Sequence, residues 1–283
     1  MPKPGAGTEM RIPVEDLELR RPASLDEALR MLRADGSLVP LAGGTDIYVQ
    51  LNAGVAPARR FLDIWGLDAL RGIAVQGDTL RLGALTTYTE LLASPVVGEW
   101  VPMLIEAARQ VGSVQIHNRG TLGGNIGNAS PAGDTLPVWA AAEAAVVLLS
   151  LDGERRVPFL EFQVDYRRTA RRHDELVAAV EVPRQDGAQW FRKAGARAAQ
   201  TISKVVMAAV RSTPPRIALG SVAPVIVRAR RAEALLAAGA PIADAQAMLR
   251  QEIAPIDDVR STAAYRREVA CRWLARFWDE TRA

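Results

Sequence analysis

Two short stretches of this chain carry almost no side chains. The first, "LAGGTDI", holds Leu41, Ala42, Gly43, Gly44, Thr45, Asp46 and Ile47. The second, "TLGGNIGNASPAGD", spans residues 121–134. Glycine tolerates positive φ and leaves room beside the chain, so successive backbone N–H groups can converge on anionic oxygens. Both stretches lead into helical patterns, and a helix N-terminus adds its own partial positive charge. One Gly-Gly pair alone reads as a tight turn. Two of them, the second holding Asn125, Asn128, Ser130 and Asp134 within ten residues, read as two nests gripping a pyrophosphate from both sides. The short polar side chains suit a ligand rich in hydroxyls and amides. Asp46 would repel phosphates if it faced them. Its carboxylate is expected to cap the helix beginning at Ile47 instead.

The common nucleotide motifs are absent. No glycine-rich loop ends in Gly-Lys-Ser/Thr, and no G-x-G-x-x-G lies between a strand and a helix, which argues against P-loop and Rossmann sites. The histidines, His117 and His173, sit in no acid–base constellation, so no catalytic residue is assigned. The single cysteine, Cys271, cannot form an internal disulfide or a Cys-only metal cluster.

These loops must be positioned by ordinary elements. The chain has 283 residues, 49% hydrophobic and 5% aromatic, with a net charge of +3. That is enough for one large or two ordinary domains with real cores. Arginines are scattered rather than massed, which gives no nucleic-acid surface. The opening "MPKPGAGTEM" lacks an apolar signal core, and no stretch reaches the roughly 18 apolar residues of a membrane span. The expectation is a cytoplasmic protein.

Residues 21–36 read as a helix capped by Ser24, 38–43 as a buried strand, and 46–54 as a short helix stopped by Gly54. Strands flank Gly77-Asp78 and Asp152-Gly153, and helices fill most of the space between. "LPVWAAAEA" reads as a helix capped by Asp134. Turn residues near 182–190 mark a boundary, giving domains 1–183 and 184–283. The second contains strands, a tight "RSTPP" turn and three helices at 228–238, 241–253 and 261–281. Both parts are α+β.

The quoted loops, together with "RLGALTTYTELLAS", "GSVQIHNRGTLGG", "RIALGSVAPVIVRARRAEALL" and "PIDDVRSTAAYRREVA", resemble in this order the FAD-binding subunit of the molybdenum hydroxylases. That family includes carbon monoxide dehydrogenase medium subunits and the flavin segment of xanthine dehydrogenase. The resemblance runs from about Arg21 to about Trp278. It implies a vanillyl-alcohol-oxidase-type (PCMH-type) FAD-binding domain of two subdomains, with FAD extended between them, and a small α+β C-terminal domain. Residue by residue, it places Ala42, Gly43, Gly44, Thr45 and Asp46 in the first pyrophosphate loop and Thr121, Gly123, Gly124 and Asn125 in the second, with Leu41, Ile47 and Asn128 also binding the cofactor. It gives Asp134 the sugar or ribityl hydroxyls, and Lys193 a position near the isoalloxazine edge. His117 stands where the family commonly has arginine.

The function so implied is electron transfer. A separate [2Fe–2S] small subunit would pass electrons, drawn from substrate by a molybdopterin large subunit, to FAD on this chain and on to an external acceptor. The alternatives are a stand-alone FAD oxidase of the same fold and a scaffold that has lost FAD. In the last helix, Tyr265, Val269, Trp273, Phe277 and Trp278 form an apolar stripe flanked by arginines. Val269 and Trp273 read as packing on the domain's own sheet, Phe277 and Trp278 as a contact to a partner.

Overall fold

The computed structural model describes residues 13–56, 58–197 and 200–282. The opening stretch read above for a signal core lies outside the described residues. The first unit is β1 (Glu18–Arg20), α1 (Leu25–Ala34), β2 (Val39–Leu41), α2 (Ile47–Asn52) and β3 (Arg60–Asp63). Its three strands form a parallel sheet in the order β1-β3-β2. Helix α1 starts where the Ser24 hydroxyl accepts the Glu27 amide, and its apolar positions Ala28, Leu29 and Leu32 are buried at helical spacing. They pack with Leu62, Leu70 and Leu85.

A hairpin follows, β4 (Ile73–Gln76) and β5 (Thr79–Gly83), then a run of short helices. These are α3 (Tyr88–Ala93), α4 (Pro95–Trp100), α5 (Pro102–Ala108), α6 (Val114–His117), α7 (Leu122–Asn128) and α8 (Leu136–Ala141). Prolines at the first turns of α4 and α5 are tolerated because an N–H there has no intrahelical partner. The chain then returns through β6 (Ala145–Ser150), β7 (Gly153–Pro158), α9 (Phe159–Phe162), a small hairpin of β8 (Gln163–Asp165) and β9 (Arg168–Thr169), and β10 (Leu176–Pro183). The sheet order is β4-β5-β10-β6-β7, so the last strand inserts between the two hairpins. Both pairings of β10 are antiparallel.

The C-terminal unit is a four-stranded antiparallel sheet, β11 (Ala188–Ala194), β12 (Val205–Arg211), β13 (Arg216–Gly220) and β14 (Val227–Arg228), in that order. Helices α10 (Arg230–Ala237), α11 (Ile242–Glu252) and α12 (Ala263–Glu280) cover one face. Strand β12 is apolar on both sides. Val205, Met207 and Ala209 face these helices, while Val206, Ala208 and Val210 join the core that includes α8. This shared core holds the C-terminal unit against the helices that carry the second glycine-rich stretch.

The stripe on α12 corrects one expectation. Phe277 is 0% exposed and lies 6.0 Å from the ring of Trp190. It is core. Trp278 is half-buried, with the Arg211 guanidinium 3.1 Å from its ring centroid. Phe277 packs on Trp190, whose indole N–H donates to Glu280 at 2.7 Å, and Trp278 packs at the edge of the same core.

Candidate functional site

The first glycine-rich stretch touches the chain just before the second. A Cβ on Gly43 would lie 1.6 Å from the Arg119 carbonyl oxygen, so only glycine lets the loop after β2 pass the chain entering α7. Arg119 itself lies over Trp65, 3.7 Å from its ring centroid. Beside this junction opens a cavity of about 510 Å³. It lies between the first unit, α7 and the loops that follow.

Most sequence-assigned residues meet there. Ala42, Gly43, Gly44, Thr45, Asp46 and Ile47 line it from one segment, and Thr121, Gly123, Gly124, Asn125, Asn128 and Asp134 from the other. Leu41 and Lys193 do not line it. Leu41 closes β2, and Lys193 lies behind Asp134.

The two segments work differently, which corrects the picture of two equivalent nests. Gly44 has φ +78°, a left-handed conformation that glycine adopts without strain. Among the described residues no group accepts from the amides of Gly44, Thr45 and Asp46. That is an anion nest with its donors free. In the second segment the donors are taken. The Gly123 amide donates to the Ala84 carbonyl at 2.7 Å, and the Gly124 amide to the Thr121 hydroxyl at 3.1 Å. Thr121 is the N-cap of α7. The glycines of α7 serve shape instead. Gly123 packs against Ala84, where a Cβ would come within 2.6 Å of another Cβ. A Cβ on Gly127 would meet nothing within 4 Å, and Gly127 lines the cavity. The helix offers a wall of three glycines beside the short side chains of Asn125 and Asn128.

Asp46 occupies the N-cap position of α2 but makes no capping hydrogen bond. Its backbone there is helical, with φ −91° and ψ −42°, unlike the extended backbone that turns an N-cap side chain toward the amides. The carboxylate opens on the cavity, where desolvation pushes it above the usual range against the pull of Arg167.

Asp134 does not cap α8 either. The N-cap is Thr135, which forms no side-chain cap bond. Asp134 turns instead to Lys193, whose Nζ donates to Oδ2 at 2.6 Å and to the Gln110 carbonyl at 3.1 Å. Burial pushes the Asp134 carboxyl up to about 6, with Lys193 pulling the other way. Its Oδ1 is buried with no partner.

Sequence reasoning missed Tyr88, Arg167 and Arg171, all of which line the cavity. Tyr88 is 2% exposed, and its hydroxyl is buried without a hydrogen-bond partner. Burial pushes this phenol up. A lone buried hydroxyl costs about 1–3 kcal/mol unless something satisfies it. Tyr88 sits in a helix that reads as ordinary core, so its sequence carried no signal. His117 does not line the cavity, and its Nε2 bonds the Val111 carbonyl at 2.6 Å. His173 is exposed. Trp139 is core, and Tyr48 is 63% exposed against Gly44.

The arrangement fits a dinucleotide. Free amides and a left-handed glycine await an anion, the glycines of α7 admit close approach, and Asn125, Asn128 and Asp134 line the same cavity with polar side chains. Among the described residues no cluster of three or more His, Cys, Asp or Glu side chains could hold a metal. None of their helices is long and apolar enough to cross a membrane.

A family model described as the FAD binding domain in molybdopterin dehydrogenase matches residues 15–185. A second, described as the CO dehydrogenase flavoprotein C-terminal domain, matches residues 186–281. The chain is 32% identical to the carbon monoxide dehydrogenase medium chain of Hydrogenophaga pseudoflava, across 92% of this chain and 94% of that protein. It is 37% identical to the glyceraldehyde dehydrogenase medium chain of Sulfolobus acidocaldarius over 59% of each, so that match spans less than two thirds of the relative. The solved carbon monoxide dehydrogenase of Hydrogenophaga pseudoflava that lacks the Mo-pyranopterin moiety superposes with a TM-score of 0.86 at 30% identity, covering 92% of this chain and 95% of that one.

Proposed function

Because the chain belongs to the family of FAD-binding subunits of molybdopterin dehydrogenases, we propose that it is the FAD-carrying electron-transfer subunit of such an oxidoreductase. What supports FAD most directly is the free nest at Gly44, Thr45 and Asp46, sharing one cavity with the glycines of α7.

When bound, FAD would supply the redox chemistry of electron transfer. This chain's residues bind and orient. The amides of the first loop take phosphate oxygens. Gly124 and Gly127 let the cofactor lie close to α7. Asp134, held by Lys193, would face hydroxyl or amide groups of the cofactor from the cavity wall. The domain boundary proposed between residues 183 and 184 puts Lys193 on the C-terminal domain, which thereby sets the position of Asp134 in the FAD-binding domain.

The electron donor is a [2Fe–2S] small subunit, and a molybdopterin large subunit oxidises the substrate. An external acceptor takes the electrons from the flavin. Cys271 is buried with its thiol toward the Gln246 carbonyl at 3.4 Å and is no cluster ligand. The chain is expected in the cytoplasm. Affinity purification of the tagged chain from its own host tests this. Near-stoichiometric iron, acid-labile sulfide and molybdenum are expected in the eluate. A flavoprotein that purifies alone and oxidises a small substrate by itself would favour the stand-alone oxidase instead.

A further inference from the structure

We propose that Arg167 and Arg171 form a cationic clamp on the diphosphate bridge of the bound dinucleotide, opposing its charge beside α7, where the amides of Gly123 and Gly124 are spent within the protein. This inference rests on the reading of the cavity as a dinucleotide site.

Both arginines line the cavity with Gly43, Gly44 and Gly124. Neither lies within ion-pair distance of a carboxylate among the described residues, whereas their neighbours are paired. Arg155 and Arg172 both hold Glu175, and Arg156 holds Glu181. The Arg171 Nη1 is fixed by the carbonyls of Arg172 and Glu175, at 3.0 and 2.7 Å. Burial pulls this guanidinium down although Glu175 and Asp174 lie in the neighbourhood. A partly buried, immobilised cation with no counter-ion facing a cavity is the mark of an anion site.

Arg167 stands in an unfavourable backbone. It is the second residue of the Tyr166-Arg167 connection between β8 and β9, with φ +51°. Glycine or asparagine fits that left-handed position more easily. An arginine there brings a charge to the cavity at a conformational cost. Its contact with the Asn128 Oδ1, at 3.4 Å, is long. Asp46 feels its charge across the cavity, but no ion pair joins the two.

The electrostatic need is plain from the rest of the site. Two carboxylates, Asp46 and Asp134, line the cavity, and a doubly negative diphosphate would join them. The amides of Gly123 and Gly124 are spent within the protein. One nest remains. Arginine's planar fork matches phosphate oxygens bidentately and keeps its charge when partly desolvated.

The test uses flavin-free full-length protein and four probes: FAD, riboflavin, ADP and adenosine. Flavin binding is read by fluorescence and the adenine compounds by calorimetry. Arg167→Gln and Arg171→Gln should each weaken FAD and ADP about tenfold while leaving riboflavin and adenosine within about twofold. Each should also flatten the salt dependence of FAD binding. Thermal unfolding of the flavin-free variants guards against misfolding at Arg171, whose fixed guanidinium also ties down its own loop. Arg167→Gln, on an exposed turn, stands on its own if Arg171→Gln does not fold. Unchanged FAD affinity in Arg167→Gln, or equal weakening of FAD and riboflavin, would overturn the clamp while the FAD-subunit reading stands. Failure of the wild-type protein to bind FAD would overturn both.

Discussion

Lys193 on β11 and Asp134 before α8 form an ion pair of 2.6 Å that is almost wholly closed to solvent, with side-chain exposures of 2% and 11%. It joins the C-terminal sheet to the end of the second glycine-rich segment. Removing one partner leaves an uncompensated buried charge, a loss of about 3–5 kcal/mol. Lys193→Met and Asp134→Ala should each lower the stability of flavin-free protein by that order in urea titrations. The double variant should lose clearly less than the sum. Simple additivity would mean that the pair is not coupled.

The same carboxyl sets a pH dependence. Asp134 rises from its ordinary 3.8 to about 6 on folding, so the folded state binds the proton more tightly. Its stabilising contribution is full below about pH 4 and is lost as pH rises through 6. Glu175 and Asp258, each held down to about 2 by arginines and backbone amides, act in the opposite direction and lose their contribution on acidification. The stability difference between wild type and Asp134→Asn in the flavin-free protein should therefore fall between pH 4 and 6 and then level off. A flat difference across that range would show that Asp134 titrates normally.

The glycines divide into two kinds. Gly43→Ala forces a methyl into the Arg119 carbonyl, 1.6 Å away, and backbone must move. A loss of at least about 1–3 kcal/mol is expected, together with loss of flavin. Gly127→Ala meets nothing within 4 Å and lies inside α7. It should stabilise the flavin-free protein by about 0.5–1 kcal/mol yet weaken FAD, because the added methyl faces the cavity. Parallel melting curves and flavin titrations of the two variants separate these effects. Equal FAD affinity in Gly127→Ala and wild type would remove α7 from the binding wall.

Much of this arrangement was legible in the sequence. The order of elements followed from periodicity and turn residues. The two glycine-rich stretches converge on one cavity, as their shared chemistry implied. What was not legible is how donors are spent. The Gly123 amide is taken by Ala84 and the Gly124 amide by Thr121, and both partners depend on tertiary packing. The capping roles expected of Asp46 and Asp134 failed for related reasons. Asp46 has a helical backbone that gives its side chain no cap bond, and Asp134 is claimed by a lysine 59 residues away. Arg171 lies in a polar "ARRHDEL" run that looks solvated, and only the fold brings it to the cavity wall.

Phe277 illustrates the limit of reading one helix alone. Its stripe looked larger than a small domain needs, yet the side chain is fully buried against Trp190. Phe277→Ala should cost about 3–5 kcal/mol through the cavity it leaves, measured by urea unfolding. A change confined to association with partners, with stability intact, would contradict this placement.

The central claim is that the cavity beside Gly43, Gly44 and α7 holds FAD. Its most direct measurement is release and chromatography of the cofactor from protein reconstituted with a mixture of FAD and FMN, then desalted. The expected result is FAD alone at close to one per chain, falling sharply in Gly43→Ala. Retention of FMN in place of FAD, or no flavin retained by folded wild-type protein, would contradict it.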